Sequence, residues 1–222
     1  MKEILTNMWI SIYNRDGVGD VIMFSKGTLT RDRIATSTVG DVTRIFNNET
    51  KETMGYNIQN ISKMIQIDGK GRVHLSQTQL DLINQSLYEQ GFDTIPFNDN
   101  PRLVVAEVLE VKDLEGSDHL HITQTKIGSD GGPDEVVQIV CGAPNVREGM
   151  FVVAALPGAV MPNGQVIWEG ELRGVSSYGM LTSAFELGVD PEHVRKGILE
   201  IKNDVPVGTS FDKISSEHFV DA

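Results

Sequence analysis

Side chains that could bind a ligand gather between short apolar runs in residues 136–183. They offer an amide, a guanidinium, hydroxyls and a thioether, supplied by Asn145, Arg173, Ser177, Ser183 and Met180. Hydrogen-bonding groups of these kinds suit phosphate and sugar oxygens, and apolar contact surface suits flat bases. The residue types therefore predict a surface for a ligand that carries both phosphates and bases. A structural role for Arg173 and Ser177, in which they pin strand ends, remains the alternative.

Patterns that would indicate catalysis or metal binding are missing from the sequence. It contains neither the G-x-x-x-x-G-K-S/T pattern of a phosphate-binding loop nor the H-E-x-x-H pattern of a zinc site. Cys141 ends a Val/Ile run, where a buried thiol is a poor nucleophile. His119 and His121 would share one side of a strand, but no third metal ligand follows at a matching spacing. We therefore predict a protein that is not an enzyme and has no catalytic residue, metal site or cofactor.

The elements that position the ligand-binding side chains are predicted to be short β-strands. Apolar runs separated by Gly, Pro and Asn turns are typical of a small β-barrel. They predict an all-β, OB-type barrel of about five strands over residues 98–204, in which residues 129–134 (SDGGPD) form a hairpin loop. Residues 205–222 are predicted to be a C-terminal tail, and its weakly apolar part, residues 210–222, is expected to fray.

The preceding residues, 1–97, predict a separate small α+β domain made of an antiparallel sheet and one helix. A stretch that alternates apolar and polar residues, 8–14, and an apolar run, 21–25, flank a turn signal and predict a β-hairpin. Ser76 and Gln79 form a capping-box pattern that predicts the start of a helix. The helix should bury one face against the sheet, on which we place Leu80, Ile83, Leu87 and Tyr88.

Composition indicates a globular cytoplasmic protein. The 222 residues are 40% hydrophobic, which is enough for a substantial core. The N-terminus does not resemble a signal peptide, and no run approaches the ~20 apolar residues that a membrane span needs. The single cysteine fits a reducing compartment. We therefore predict a cytoplasmic location and no membrane partner.

The charge argues against tight binding of nucleic acid. The formal net charge is −12, and residues 102–200 contain 7 Lys/Arg against 15 Asp/Glu, a net charge of −8. Four barrel cations, Lys112, Lys126, Arg147 and Arg173, are clear of its C-terminal edge. They allow about two to four phosphate contacts, and therefore only weak, salt-sensitive binding.

Three motifs, IVCGAPNV, LPGAVMPNG and LRGVSSYGMLTS, resemble the tRNA-binding domain at the N-terminus of the bacterial phenylalanyl-tRNA synthetase β chain. The layout of the whole chain looks like the YtpR family, which places a small domain before such a module. The resemblance covers roughly residues 103–188 and implies an OB fold that binds tRNA. It also implies RNA-facing positions, which are Asn145, Arg147, Arg173, Ser177, Met180 and Ser183. One departure is His119, which stands where the family commonly has lysine.

Together these observations predict a non-catalytic protein that recognises tRNA or another RNA by shape. Lys112 joins the six positions above as a phosphate contact. The alternative is a protein-interaction or dimerisation module that keeps the OB fold without significant RNA binding. The acidic barrel and the loss of a cation at His119 favour that alternative.

Overall fold

The computed structural model describes residues 9–97, 100–128 and 134–220, so most of the predicted hairpin loop at residues 129–134 lies outside the described residues. The chain forms two compact units, residues 2–99 and 100–222. Within the described ranges, no helix is long and apolar enough to cross a bilayer.

The first unit is built on a six-stranded antiparallel sheet with the order β3-β4-β5-β2-β1-β6. A single helical turn, α1 (Arg15–Val18), joins β1 to β2, and a longer helix, α2 (Gln77–Glu89), follows β6. This arrangement confirms the predicted α+β domain. The strands are β1 (Ile10–Tyr13), β2 (Val21–Ser25), β3 (Ile34–Val39), β4 (Val42–Asn47), β5 (Thr53–Gln59) and β6 (Gly71–Arg72).

Helix α2 begins where the sequence predicts it. The Ser76 hydroxyl accepts a hydrogen bond from the Gln79 backbone N–H at 3.3 Å, and the Gln79 side chain accepts one from the Ser76 N–H at 2.9 Å. Leu80, Ile83 and Leu87 are buried in the core of this unit, but Tyr88 is 76% exposed and does not belong to the buried face. The core face also contains sheet residues, including Ile22, Phe24, Val42, Tyr56 and Ile58.

The second unit is an antiparallel sheet with the order β13-β10-β7-β8-β9, to which β14 adds beside β10. The long strand β7 changes register between Val108 and Glu110, and such a bulge bends a strand. A two-stranded hairpin, β11–β12, lies outside this sheet. The strands are β7 (Leu103–Asp113), β8 (His121–Ile127), β9 (Glu135–Cys141), β10 (Phe151–Ala155), β11 (Gly170–Leu172), β12 (Val175–Ser177), β13 (Met180–Leu181) and β14 (Glu200–Ile201).

The sheet curls until its two ends meet between β9 and the residues that join β12 to β13. The Tyr178 backbone N–H donates to the Gln138 carbonyl at 2.9 Å, and the Val140 N–H donates to the Ser177 hydroxyl at 3.0 Å. Closure of this kind satisfies backbone groups that an open edge would leave unpaired. The result is the predicted all-β, OB-type barrel.

The C-terminal residues contradict the expected fraying over their described part. Phe219 is only 8% exposed, packs in the barrel core and pairs with Ile201. The Val105 N–H donates to the Thr209 carbonyl at 2.8 Å, and Val220 donates to Glu200 at 3.0 Å. Residues 210–220 stay ordered because widely spaced apolar side chains, Phe211, Ile214 and Phe219, cover the core.

Candidate nucleic-acid interface

The tip of the β11–β12 hairpin holds the guanidinium of Arg173 against a neighbouring loop. Arg173 and Gly174 form a two-residue turn in which both have positive φ, +49° and +80°. Hairpin turns of this kind match the twist of the flanking strands, although a non-glycine residue pays a steric cost there. The Arg173 guanidinium donates to the carbonyl of Gly116, in the 114–120 loop that joins β7 to β8. Arg173 remains exposed to solvent.

The 114–120 loop is held by hydrogen bonds within it, and the residues after β9 pack closely against it. The Ser117 hydroxyl accepts from the backbone N–H groups of His119 and Leu120 at 3.4 and 3.1 Å. A side chain at Gly142 would stand 3.3 Å from Leu120 Cδ2, so glycine allows the chain after β9 to approach this loop closely. The 114–120 loop therefore contacts both the hairpin tip and the start of the 142–150 loop, which precedes β10.

Two histidines, His119 in this loop and His121 at the start of β8, each pair with a different carboxylate. His119 Nδ1 lies 2.7 Å from Asp118 Oδ1, and His121 Nδ1 lies 3.0 Å from Asp113 Oδ1. The hydrogen bond with His119 is the main reason that the pKa of Asp118 is lowered, so this carboxylate stays ionised beside the loop. Over the described ranges, no three His, Cys, Asp or Glu side chains converge as a metal site would require.

Asn145 and Ser183, two of the predicted RNA-facing residues, meet at Ile198. The Asn145 amide donates to the Ile198 carbonyl at 3.0 Å and accepts from its N–H at 2.9 Å. Ser183 forms a β-bridge with Ile198, and its hydroxyl donates to Glu186 Oε2 at 2.7 Å. A side chain at Gly197 would overlap Asn145, because its Cβ would lie 2.2 Å from Asn145 Oδ1. Asn145 therefore fastens the 183–198 segment to the 142–150 loop, whereas the Ser183 hydroxyl forms its hydrogen bond within that segment.

Lys112 lies on β7, and Arg147 lies in the 142–150 loop, which contacts β7 through its neighbour Glu148. Glu148, next to Arg147, accepts a hydrogen bond from the backbone of Val111, next to Lys112, at 3.3 Å. Each cation is paired with a carboxylate, Lys112 with Glu110 at 2.6 Å and Arg147 with Glu200. Such exposed ion pairs contribute about 0–1 kcal/mol, so a phosphate group can compete for the cations.

Ser177 is placed differently from the RNA-facing position that the resemblance implies. It is 3% exposed, and its hydroxyl accepts from Val140 and donates to the Gly179 carbonyl at 3.2 Å. This arrangement corresponds to the alternative in which Ser177 pins strand ends. Met180 is half-buried, pairs with Ala155 and packs against the barrel core.

Gln138 supports the site, although the sequence patterns did not indicate it. Gln138 lies in the apolar run of β9, and its side-chain amide donates to the Ser176 carbonyl at 2.7 Å, which holds the hairpin to the barrel. Its polarity within a Val/Ile strand was the available signal. The structure thus places exposed Lys112 near the end of β7 and exposed Arg173 against the loop that follows it. The guanidinium of exposed Arg147 instead pairs with Glu200 on β14, on the opposite side of β10 from β7.

Comparison with known protein families matches both units. Residues 30–95 match a "Domain of unknown function (DUF4479)", and residues 103–210 match a "Putative tRNA binding domain". The "Putative tRNA-binding protein YtpR" of Bacillus subtilis strain 168 is 42% identical over 202 residues, which cover 90% of this chain and 98% of that protein. The chain belongs to the YtpR family. The predicted resemblance is therefore confirmed.

Members of another protein class resemble only the second unit of this YtpR-family chain. The phenylalanine–tRNA ligase beta subunit of Nitrosospira multiformis is 49% identical over 110 residues, which cover 50% of this chain and 13% of that subunit. The corresponding subunit of Lactococcus lactis subsp. lactis is 44% identical over 121 residues, or 53% of this chain and 15% of that subunit. The match to the tRNA-binding domain model contains every residue of the candidate interface.

Proposed function

We propose that this protein binds tRNA through its second unit and catalyses no reaction. The observation that carries the proposal is the contact of exposed Arg173 with the 114–120 loop, which follows exposed Lys112 at the end of β7. Exposed Arg147 lies in the 142–150 loop nearby, where Glu148 contacts β7. OB folds bind oligonucleotides with the loop between their first two strands and the loop before their last strand. The 114–120 loop and the β11–β12 hairpin occupy these two positions. The names of the YtpR relative and of the matched domain support the same function.

The proposed binding is weak and sensitive to salt. Lys112 and Arg147 must exchange a carboxylate partner for a phosphate, and Asp118 adds negative charge beside the loop. Carboxylates at an RNA-binding surface oppose the phosphate backbone, which itself supplies most of the affinity of such proteins. With about two to four phosphate contacts, we expect recognition by shape with an affinity in the micromolar range. We propose a cytoplasmic location because tRNA acts there.

Titration of the intact protein with tRNA at low salt tests this proposal. Arg173→Ala should weaken binding, because it removes the guanidinium from the 114–120 loop. Lys126→Ala is the matched control. Lys126 also pairs with a carboxylate, Asp134 at 2.8 Å, but it lies on β8 five residues from His121, about 17 Å along the strand from the 114–120 loop. Equal binding by parent and Arg173→Ala, or no binding by the parent, would contradict the proposal.

A second candidate function, dimerisation, is favoured by the open edge of the first sheet. Edge strand β3 is exposed over nearly its whole length and has the sequence IATSTV, with no proline, charge or bulge to protect it. Val39 and Val42 close a two-residue turn, so the backbone groups of alternate residues, Ile34, Thr36 and Thr38, face away from β4. A second copy can pair there in antiparallel register about a two-fold axis at Thr36.

Solution mass distinguishes this candidate from a monomeric RNA-binding protein. Thr36→Lys should shift a dimer towards monomer, since two like charges would meet at the two-fold axis. Gln85→Lys adds the same charge on the exposed side of α2, near Glu89, and should leave the mass unchanged. A parent protein that sedimented as a monomer at all concentrations would remove this candidate.

A further inference from the structure

An exposed aromatic pair stands on the 183–198 segment, outside the positions that the resemblance implies. The rings of Phe185 and His193 are stacked with their centroids 4.7 Å apart and their planes 22° from parallel. Phe185 is 48% exposed, and His193 is exposed as well. The stacking contact covers one face of each ring, and the exposure of both residues leaves aromatic surface open to solvent.

The segment that carries the pair is rigidly organised. The N–H groups of Val189 and Asp190 both donate to the Ala184 carbonyl, at 3.0 and 3.2 Å, and the Gly188 N–H donates to Phe185 at 3.0 Å. The Asp190 carboxylate accepts from the Arg195 N–H at 2.7 Å, and this hydrogen bond is the main cause of its lowered pKa.

His193 adopts a left-handed backbone conformation, with φ +54°, within this loop. Its backbone N–H donates to the Asp190 carbonyl at 3.1 Å. A non-glycine residue is held in this conformation only where its surroundings impose it. The loop therefore presents the His193 ring to Phe185 before any ligand arrives.

The aromatic pair is continuous with the candidate interface. Ser183, two residues before Phe185, bridges to Ile198, and Asn145 clamps the same Ile198 from the 142–150 loop that also contains Arg147. Lys196 is exposed two residues before Ile198, and the Arg195 guanidinium lies 5.9 Å from the Phe219 ring. Three acidic residues, Glu186, Asp190 and Glu192, accompany these two cations in the segment, so charge alone gives the site little attraction for phosphate.

We propose that the exposed aromatic surface of the Phe185–His193 pair stacks an unpaired nucleobase of the bound RNA. Proteins that bind single-stranded RNA stack splayed bases on Phe and His rings, which is favourable even where cations are few. The inference rests on the proposed tRNA binding and adds a contact that the exposed cations do not supply. Its substrate class is RNA with an exposed base in a loop, a bulge or a terminus.

The test compares tRNA affinity and its salt dependence in the intact protein and three variants. Phe185→Leu should weaken binding about tenfold at every salt concentration, because it removes a stacking surface and no charge. Phe185→Trp should bind at least as tightly as the parent. Val194→Ala removes a 73% exposed apolar neighbour and should bind like the parent. The slope of affinity against salt should be the same in all four proteins, since the number of phosphate contacts does not change.

Each of the other outcomes would contradict either the stacking inference or the proposed function. If the parent binds tRNA and folded Phe185→Leu binds equally well, the stacking inference is wrong and the proposed function stands. If Phe185→Trp is as weak as Phe185→Leu, the ring acts by packing and not by stacking. If Phe185→Leu abolishes self-association and leaves tRNA affinity unchanged, the patch is a protein contact. If the parent does not bind tRNA, the proposed function itself fails.

Discussion

At the scale of single residues, the polar side chains marked by the motifs divide into two groups. Asn145, Ser177 and Ser183 direct their hydrogen bonds to partners within the barrel, whereas Arg147 and Arg173 keep exposed guanidinium groups. A hydroxyl or an amide serves equally well inside a protein and on a ligand. Residue type therefore predicted where the important positions lie but could not assign these roles, because partners such as Ile198 are 53 residues away in sequence.

The hydroxyl of Ser177 is predicted to stabilise barrel closure. Ser177→Ala leaves the buried N–H of Val140 without its acceptor, which should lower the free energy of unfolding by about 1–3 kcal/mol. The neighbouring Ser176 is exposed, so Ser176→Ala should change the free energy of unfolding by no more than about 0.5 kcal/mol. Urea unfolding measures both changes. Equal stability of the two variants would show that Ser177 does not close the barrel.

Cys141 is predicted to react slowly in the folded protein. Burial raises the pKa of its thiol above the ordinary value of 9.0, and only 6% of the residue is exposed. Less thiolate is therefore present at mildly alkaline pH in the folded state than in the unfolded state. Iodoacetamide should alkylate the native protein at least about tenfold more slowly than the protein in urea, as followed by mass spectrometry. Similar rates in the two states would contradict a buried thiol.

At the scale of elements, the sequence predicted those helices and strands that have a strong local pattern of residues. The capping box and helical spacing located α2, and the Gly-punctuated apolar runs predicted the barrel strands. Strand β3 was missed because both of its sides are largely exposed, so IATSTV shows no alternation of apolar and polar residues. The order of the C-terminal residues was also missed, since Phe211, Ile214 and Phe219 find their partners only in the folded barrel.

The approach of β10 to β13 predicts a strong requirement for glycine at position 179. A Cβ there would stand 2.6 Å from the Ala155 carbonyl oxygen, and the φ of +140° is one that other residues rarely adopt. Gly179→Ala should therefore destabilise the protein by at least about 2 kcal/mol. Gly170 has open space around it and an ordinary φ, so Gly170→Ala should be nearly neutral. Thermal unfolding of both variants would show the difference, and equal melting temperatures would argue against the close approach.

At the scale of the whole molecule, the net charge argues against binding of nucleic acid, whereas the fold argues for it. A chain with a net charge of −12 does not attract polyanions from a distance, yet its barrel places two exposed cations, Lys112 and Arg173, beside one loop. Composition predicted the first property, and only the folded arrangement reveals the second. The two units and the OB-type barrel followed from the sequence. The division of the predicted site into structural and exposed residues did not, because it depends on burial and long-range pairing.

The salt dependence of tRNA binding by the intact protein would show whether phosphate contacts from the barrel hold the RNA. With about two to four phosphate contacts, affinity should fall by roughly 12- to 150-fold between about 50 and about 200 mM salt. The decrease should be smaller for Arg173→Ala and unchanged for Lys126→Ala. Absence of binding at the lowest salt, or an affinity that does not respond to salt, would contradict the claim that this barrel offers its exposed cations to RNA.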